Sequence, residues 1–265
     1  MRGRLLALTA LLLISAAQAA RQIRPGFNVF SKNQDVELGR DASQQVEHQV
    51  RVVHDPELTA YVSSLGRRLA AQSPAPEYPY TFKVVSDKRI NAFALPGGPV
   101  YVYSGTIAAA ENEAQLAGVI AHEIAHVALR HSTNQASKAM AWQIPLSIVG
   151  GATSGSLAGE LARLGIGFGV NSALLKYSRD AAHDADIVGA RMMARAGYDP
   201  MEMARFFENL GHQGKEGMQF FSDHPDPGNR IQYVQDEIRQ LPRRGYTTGS
   251  PNYRSIRERA RHLQA

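Results

Sequence analysis

The chain has 265 residues, a formal net charge of +5 and no cysteine. Its length suits one domain with short appendages, and its apolar content is that of an ordinary soluble globular protein. The lack of cysteine excludes disulfides, thiolate metal sites, a cysteine nucleophile and a lipid-modified N-terminal cysteine. Any metal ion must therefore be held by His, Asp or Glu.

The first 20 residues carry the pattern of a cleavable export signal. Arg2 and Arg4 precede an apolar run from Leu5 to Ile14, which is too short to span a bilayer comfortably. The triplet Ala17-Gln18-Ala19 fits the small-residue cleavage site that follows such a run. We therefore predict a signal peptide over residues 1–20 and a periplasmic protein, with an uncleaved membrane anchor as the alternative.

Residues 21–28 are polar and broken by Pro25 and Gly26, which predicts a linker before the main domain, expected over residues 29–242. Two helices should come first, from about Ser31 to Val53 and from Asp55-Pro56 to just before Ser73. The period then changes to the alternation of strands, which predicts a small antiparallel sheet. Its strands are Tyr80–Val85, Ile90–Leu95 and Val100–Ser104, with a turn at Pro96-Gly97-Gly98.

The next helix, predicted from Asn112 to about His131, carries the sequence His122-Glu123-Ile124-Ala125-His126. Histidines at positions i and i+4 lie on the same helix face, so two imidazoles can bind one metal ion. Glu123 lies where it can take a proton from a metal-bound water. Imidazole and carboxylate ligands suit zinc, so the pattern favours metal-assisted hydrolysis over two unrelated surface histidines.

Residues 145–175 are apolar and rich in glycine, but Glu160 and Arg163 interrupt them. We expect helical segments packed near the active site, with a membrane contact as the alternative. Three further helices are predicted: Tyr177–Ala196, Asp199–Leu210 and Asn229–Leu241.

Residues 243–265 form a basic C-terminal tail with six arginines and one glutamate, and hence a charge of +5. We expect this tail to be solvated, with a weak contact to an anionic lipid surface as the alternative. No part of the chain has the pattern of a nucleic-acid-binding module.

A catalytic zinc usually has three protein ligands and a water, so the two histidines leave one ligand to be found. The sequence spacing alone does not choose among the downstream candidates. These are Glu160, Asp180, His183, Asp184, Asp186 and His224.

The order of several motifs closely resembles peptidase family M48, which includes prenyl-protein endopeptidases and secreted bacterial metallopeptidases of cell-envelope quality control. The resemblance covers roughly Phe30 to Leu241 and is closest to the soluble periplasmic branch. The matching motifs are Asp55–Leu58, Asn91–Gly98, Asn112–Ala117, His122–His126, Arg130-His131, Tyr177–Arg179, Ala185-Asp186, Ala196–Pro200 and His224-Pro225.

The resemblance implies an α+β, mostly helical, zincin-like domain with a small sheet beside the active-site helix. It implies that His122 and His126 bind one Zn²⁺ and that Glu123 is the general base. It also implies that the strand with Asn91, Ala92 and Phe93 pairs with an extended substrate. His224 and Arg230 match a loop pair near the metal, in which the histidine can cap the zinc in a resting state.

One position departs from the family pattern, because Ala182 stands where the family has its third ligand, a glutamate. Asp186 matches an aspartate that orients a ligating histidine, and it points the same way as residue 182. We rank His224 and Asp186 first as the third ligand and Glu160 last. His183 and Asp184 would need the helix to rotate.

These observations predict a zinc metalloendopeptidase that acts on misfolded or unassembled cell-envelope proteins. Glu123 favours that function. Ala182 favours the alternative, a pseudo-peptidase that binds extended polypeptide without cutting it. A structural envelope protein with a vestigial metal site is a third, weaker hypothesis.

Overall fold

The computed structural model describes residues 22–143, 161, 167, 172–212, 218–226, 228–242 and 245–263. The predicted signal peptide and most of the glycine-rich segment, with Glu160, lie outside these ranges. The helices are α1 Lys32–Glu47, α2 Pro56–Ala70, α3 Ser104–Ala109, α4 Glu113–Ala128, α5 His131–Gln143, α6 Arg179–Arg195, α7 Met201–His212, α8 Met218–Asp223, α9 Arg230–Gln240 and α10 Tyr253–His262. The strands are β1 Thr81–Val85, β2 Ala92–Ala94 and β3 Pro99–Tyr103.

Local sequence signals explain where several helices begin. Ser31 and Gln34 form a capping box at α1, and Asp55 caps α2 with Pro56 in its first turn. Asn112 accepts a hydrogen bond from a backbone amide of α4, and Ser178 does the same at α6. These side chains satisfy amide groups that a helix start leaves without partners.

The sheet is mixed, so the predicted antiparallel arrangement is wrong for one strand pair. Its strand order is β1-β3-β2, with β2 antiparallel and β1 parallel to β3. The hairpin between β2 and β3 turns at Gly97 and Gly98, whose φ angles of 72° and 132° suit glycine. Strand β1 pairs with the other edge of β3, and a parallel pair of this kind needs a connection that crosses over rather than a tight hairpin. The expected α+β, mostly helical fold is confirmed.

Helix α4 runs through the centre of the protein, and every one of its residues is buried. It packs most extensively against α6 and also contacts α2, α7 and β2. A methyl group at Gly118 would lie 2.6 Å from Cβ of Met203, so the glycine permits close contact between α4 and α7. The motif residues are therefore held on a rigid element with neighbours on several sides.

The C-terminal segment is folded onto the protein, so the prediction of a solvated tail is wrong for helix α10. Tyr253, Ile256 and Ala260 are buried, and α10 packs against α3 and α2. Arg257 donates a hydrogen bond of 2.8 Å to the Ala108 carbonyl. Arg259 forms an ion pair with Glu57. These three residues stand at positions i, i+3 and i+7, which is the apolar spacing of a helix that packs on one face. The prediction of a solvated tail rested on the arginines of this segment and overlooked that spacing.

The described part of the predicted linker lies along α5, where Asn28 donates a hydrogen bond of 2.7 Å to Thr133 Oγ1. None of the helices within the described ranges is both long and apolar enough to cross a membrane.

Candidate metal centre

Three histidines meet at the buried side of α4. His122 and His126 come from consecutive turns of α4, and His224 directly follows α8. His122 Nε2 lies 3.0 Å from His126 Nε2 and 3.2 Å from His224 Nδ1. One nitrogen from each ring lies within 4.8 Å of the others, and all three residues are buried. The structure thus brings together the two motif histidines and one of the predicted third ligands.

The other ring nitrogen of His122 is fixed by a carboxylate on α6. His122 Nδ1 donates to Asp186 Oδ1 at 2.8 Å, which leaves the lone pair on Nε2. Asp186 Oδ2 accepts from Arg230 Nε at 2.7 Å and from the Tyr233 hydroxyl. Burial alone would raise the pKa of Asp186, but the charge of Arg230 and the bond to His122 outweigh it and lower this pKa to about 2. Asp186 therefore remains ionised and orients the imidazole.

The second motif histidine is held by aromatic neighbours. His126 Nδ1 lies 2.7 Å from His131 Nδ1, and the Tyr177 ring stacks on His126 at 3.7 Å between centroids. Burial lowers the pKa of His131 to about 3 and the pKa of His126 well below its usual range, so both rings are neutral at neutral pH. His131 can then accept the Nδ1 proton of His126, which leaves the Nε2 lone pair of His126 free.

This arrangement fits a metal ion. The hydrogen bonds described above assign a lone pair to Nε2 of both His122 and His126, yet these two atoms face each other at 3.0 Å. Two lone pairs at that distance repel unless a cation or a proton lies between them. Nitrogens bound to one tetrahedral zinc at about 2.0–2.1 Å lie roughly 3.3 Å apart, close to the spacing of these imidazoles.

Glu123 lies beside the histidines with both carboxylate oxygens buried and without a hydrogen-bond partner among the described residues. Its Oε1 is 3.5 Å from His224 Nε2. Burial and the nearby carboxylate of Asp223 raise the pKa of Glu123 well above its usual range. A buried carboxyl group without partners is costly. Such a site suits a group that acts on a water or substrate, and a bound divalent cation would lower its pKa again.

The predicted substrate strand lies next to this site. Strand β2 is at an edge of the described sheet and packs beside α4. Ala92 and Phe93 are buried, and the Phe93 ring stacks on Tyr101. Asn91 precedes the strand and donates a hydrogen bond of 3.1 Å to Asp223 Oδ2, which links β2 to the helix before His224.

Among the described candidates for the third ligand, His224 is the one whose ring nitrogen joins those of His122 and His126. Ala182 is buried on α6, one turn before Asp186. Both oxygens of Asp186 already bind partners, whereas His224 has a nitrogen at the cluster. The His183 ring contacts the Tyr233 ring at a tilt, with 4.4 Å between the ring centres, and Asp184 lies beside it. Neither residue belongs to the histidine cluster.

Sequence reasoning predicted Asp186 as the residue that orients a ligand histidine, but it missed the partners of His126. His131 and Tyr177 lie in the quoted motifs, yet neither had a role in the prediction. Tyr233 lies three residues after Arg230, and this helical spacing is the one signal that could have placed it on the same face of α9.

Comparison with known proteins agrees with the motifs. The model of "Peptidase family M48" matches residues 56–238. The beta-barrel assembly-enhancing protease of Escherichia coli (strain K12) is 30% identical over 222 residues, covering 81% of this chain and 46% of that protein. The mitochondrial metalloendopeptidase OMA1 of Schizosaccharomyces pombe is 32% identical over 221 residues, covering 80% of this chain and 64% of that protein. Metalloprotease YcaL of Escherichia coli (strain K12) is 32% identical over 183 residues, covering 66% of this chain and 71% of that protein.

The chain thus spans just under half the length of the beta-barrel assembly-enhancing protease that it matches. The matched range of the family model contains α4, α6 and the loop with His224, and it covers well over half of the chain. The resemblance seen in the motifs is confirmed, and this chain belongs to peptidase family M48.

Proposed function

We propose that this protein is a zinc-dependent metalloendopeptidase in which His122, His126 and His224 hold the ion and Glu123 is the general base. The convergence of three buried imidazole nitrogens beside Glu123, whose carboxylate has no hydrogen-bond partner within the described part of the chain, is the observation that carries this proposal. Membership of a metallopeptidase family supports the reaction class. In this chain His224 would take the position in the ligand set that Ala182 leaves open.

Each residue of the site would have a distinct task. When bound, zinc would polarise the scissile carbonyl and acidify the attacking water. Glu123 would accept the proton of that water on its carboxylate and return it to the leaving amine. Asp186 and His131 would keep the two motif imidazoles aimed at one point. Strand β2, with Asn91, would hold the substrate extended beside the site.

Export and substrate class are part of the proposal. The signal-like pattern of residues 1–20 supports a periplasmic location of the mature chain. One relative is named for enhancing the assembly of beta-barrels, and that property belongs to the relative. Together they favour misfolded or unassembled cell-envelope proteins as substrates.

The alternative is a protein that binds extended polypeptide without cutting it. Ala182 supports this function, because the family's carboxylate ligand is missing from the buried face of α6. Loss of a metal ligand weakens both metal affinity and activity. The two functions are distinguished by whether the protein cleaves an unfolded substrate or only binds it.

The test uses the purified mature protein and β-casein as an unfolded substrate. We expect about one zinc per chain, cleavage of casein, and loss of cleavage after removal of the metal with a chelator. Glu123→Gln should keep the zinc and abolish cleavage, because it removes only the base. His126→Ala should lose the metal.

Two results would speak against this function. Wild-type protein that contains zinc and binds casein without cutting it would support the non-cleaving binder. Cleavage that survives Glu123→Gln would exclude Glu123 as the base.

A further inference from the structure

We propose that Tyr233 is a positioning residue of the metal site, which it serves by locking the plane of the Asp186 carboxylate behind His122. This inference rests on the proposed function, since it assumes that His122 binds the ion. The Tyr233 hydroxyl donates to Asp186 and accepts from Arg230 Nε at 3.3 Å, so we infer that it reaches His122 through Asp186.

Arg230 binds Asp186 through a single nitrogen atom. Arg230 uses only Nε, which donates to Asp186 Oδ2 at 2.7 Å. Its Nη2 is buried and has no hydrogen-bond partner among the described residues. The pair is therefore held by one bond rather than by the two-point arrangement that fixes a carboxylate plane. A carboxylate oxygen that accepts one hydrogen bond from the arginine leaves the group able to turn about that bond, which moves the other oxygen away from its acceptor position; a second donor on the same oxygen opposes that turn.

Tyr233 supplies the missing constraint. Its hydroxyl donates to Asp186 Oδ2, the same oxygen that accepts from Arg230. Two donors on Oδ2 leave Oδ1 free for His122, 2.8 Å away. The direction of the imidazole, and hence of its metal-binding nitrogen, follows from that contact.

The tyrosine is itself held in place. Arg230 and Tyr233 are at positions i and i+3 of α9, so their side chains lie on the same face, towards Asp186 of α6. Helices α9 and α6 pack against each other. The His183 ring of α6 contacts the Tyr233 ring in a tilted arrangement, with 4.4 Å between the ring centres. The Arg230 guanidinium lies 4.3 Å from the centre of the Phe207 ring, which leaves it little freedom to replace the hydroxyl.

A second cluster in the same protein provides a matched control. Asp35 is also buried, and it also binds an arginine and a tyrosine hydroxyl, from Arg130 and Tyr78. Here the arginine binds both carboxylate oxygens, with Nε at 2.6 Å and Nη2 at 3.0 Å. Tyr78 is therefore not needed to fix the carboxylate, and none of the described hydrogen bonds of Asp35 goes to a histidine.

The experiment compares Tyr233→Phe with Tyr78→Phe in the zinc-loaded and zinc-free protein. The zinc dissociation constant is measured by competition with a chromophoric chelator, and Tm is measured in both forms. We expect Tyr233→Phe to weaken zinc binding about tenfold. The rise in Tm that zinc produces should shrink accordingly. Tyr78→Phe should lower Tm equally in both forms and leave the dissociation constant unchanged.

His183→Ala is a second variant that removes a partly exposed ring and keeps the fold. It should weaken zinc binding in the same direction, by less than Tyr233→Phe does. Wild-type affinity in Tyr233→Phe, or an equal loss of Tm with and without zinc, would overturn the inference and leave the proposed function standing. A wild-type protein that binds no zinc would overturn both.

Discussion

The protein contains two buried clusters of the same composition, an aspartate with an arginine and a tyrosine, and they do different things. In one, Asp35 of α1 binds Arg130, which follows α4, with both carboxylate oxygens. In the other, Asp186 gives one oxygen to Arg230 and Tyr233 and the other to His122. The first cluster closes on itself, whereas the second leaves one oxygen for a histidine.

The difference shows how a buried aspartate–arginine–tyrosine cluster can serve either the stability of the fold or the orientation of a metal ligand. Breaking a closed cluster is strongly destabilising, because removal of one partner leaves a buried charge without compensation. Because Asp186 gives one oxygen to His122, Arg230 binds it through Nε alone, and Arg230 Nη2 has no hydrogen-bond partner in the ranges that the structure describes. The Asp186 cluster should therefore stabilise the fold less than the Asp35 cluster does. Its geometry is explained by the need to orient His122 as a metal ligand.

The largest expected effects come from replacing each aspartate by asparagine. Asp35→Asn leaves Arg130 poorly compensated and should lower the free energy of unfolding by about 3 kcal/mol. Asp186→Asn should destabilise the protein too, and should also weaken zinc binding about 10- to 100-fold, because His122 loses a charged acceptor. Denaturant unfolding and a zinc competition titration measure the two quantities.

Asp35→Asn is the control for the metal site, because none of the hydrogen bonds of its cluster reaches a proposed ligand. Its zinc dissociation constant should match that of the wild type. If the two variants lost zinc affinity equally, the two clusters would not differ in function.

A substitution in α10, which lies outside both clusters, tests whether a loss of stability alone changes zinc affinity. Ile256→Ala should lower the free energy of unfolding by about 2–4 kcal/mol, because the side chain is buried against the core. The zinc dissociation constant should be unchanged. Arg254→Ala, an exposed position on the same helix, should change stability by less than about 0.5 kcal/mol. Equal stabilities of the two variants would mean that α10 does not pack as described.

The smallest expected effect concerns the residue that stands in place of the family's glutamate. Ala182→Glu should raise zinc affinity about tenfold by adding a carboxylate on the turn before Asp186. Without zinc the same variant should be less stable than the wild type, because a carboxylate is then buried without a partner. Ala182→Gln, of similar size and without the charge, should lose stability and gain no affinity. A gain in Ala182→Gln would show that the charge is not what matters.

The parts of the site that follow from local sequence were predictable. His122 and His126 lie four residues apart on one helix, and Asp55 and Asn112 mark helix starts through their side chains. The hairpin of β2 and β3 follows from alternation and from the glycines of its turn.

The parts that depend on distant contacts were not predictable. The parallel pairing of β1 needs the whole sheet, and the folding of α10 onto α3 joins residues about 150 positions apart, such as Tyr253 and Ile107. Helix α5 was missed because Arg130, with a φ of 57°, ends one helix and His131 begins the next without a glycine or proline to mark the break. Spacing alone did not choose His224, because its position depends on a contact between distant residues, in which Phe220 of α8 lies beside His122 and stacks on His224.

The most direct test of the metal site is the zinc content of His224→Ala compared with the wild type. Both proteins are purified, stripped of metal, titrated with zinc, and measured for stoichiometry and affinity. A site of three histidines predicts one tightly bound zinc in the wild type and at least a 100-fold weaker affinity in His224→Ala, because a ligand is lost. An unchanged zinc affinity in His224→Ala would contradict the three-histidine site and would mean that another residue is the third ligand.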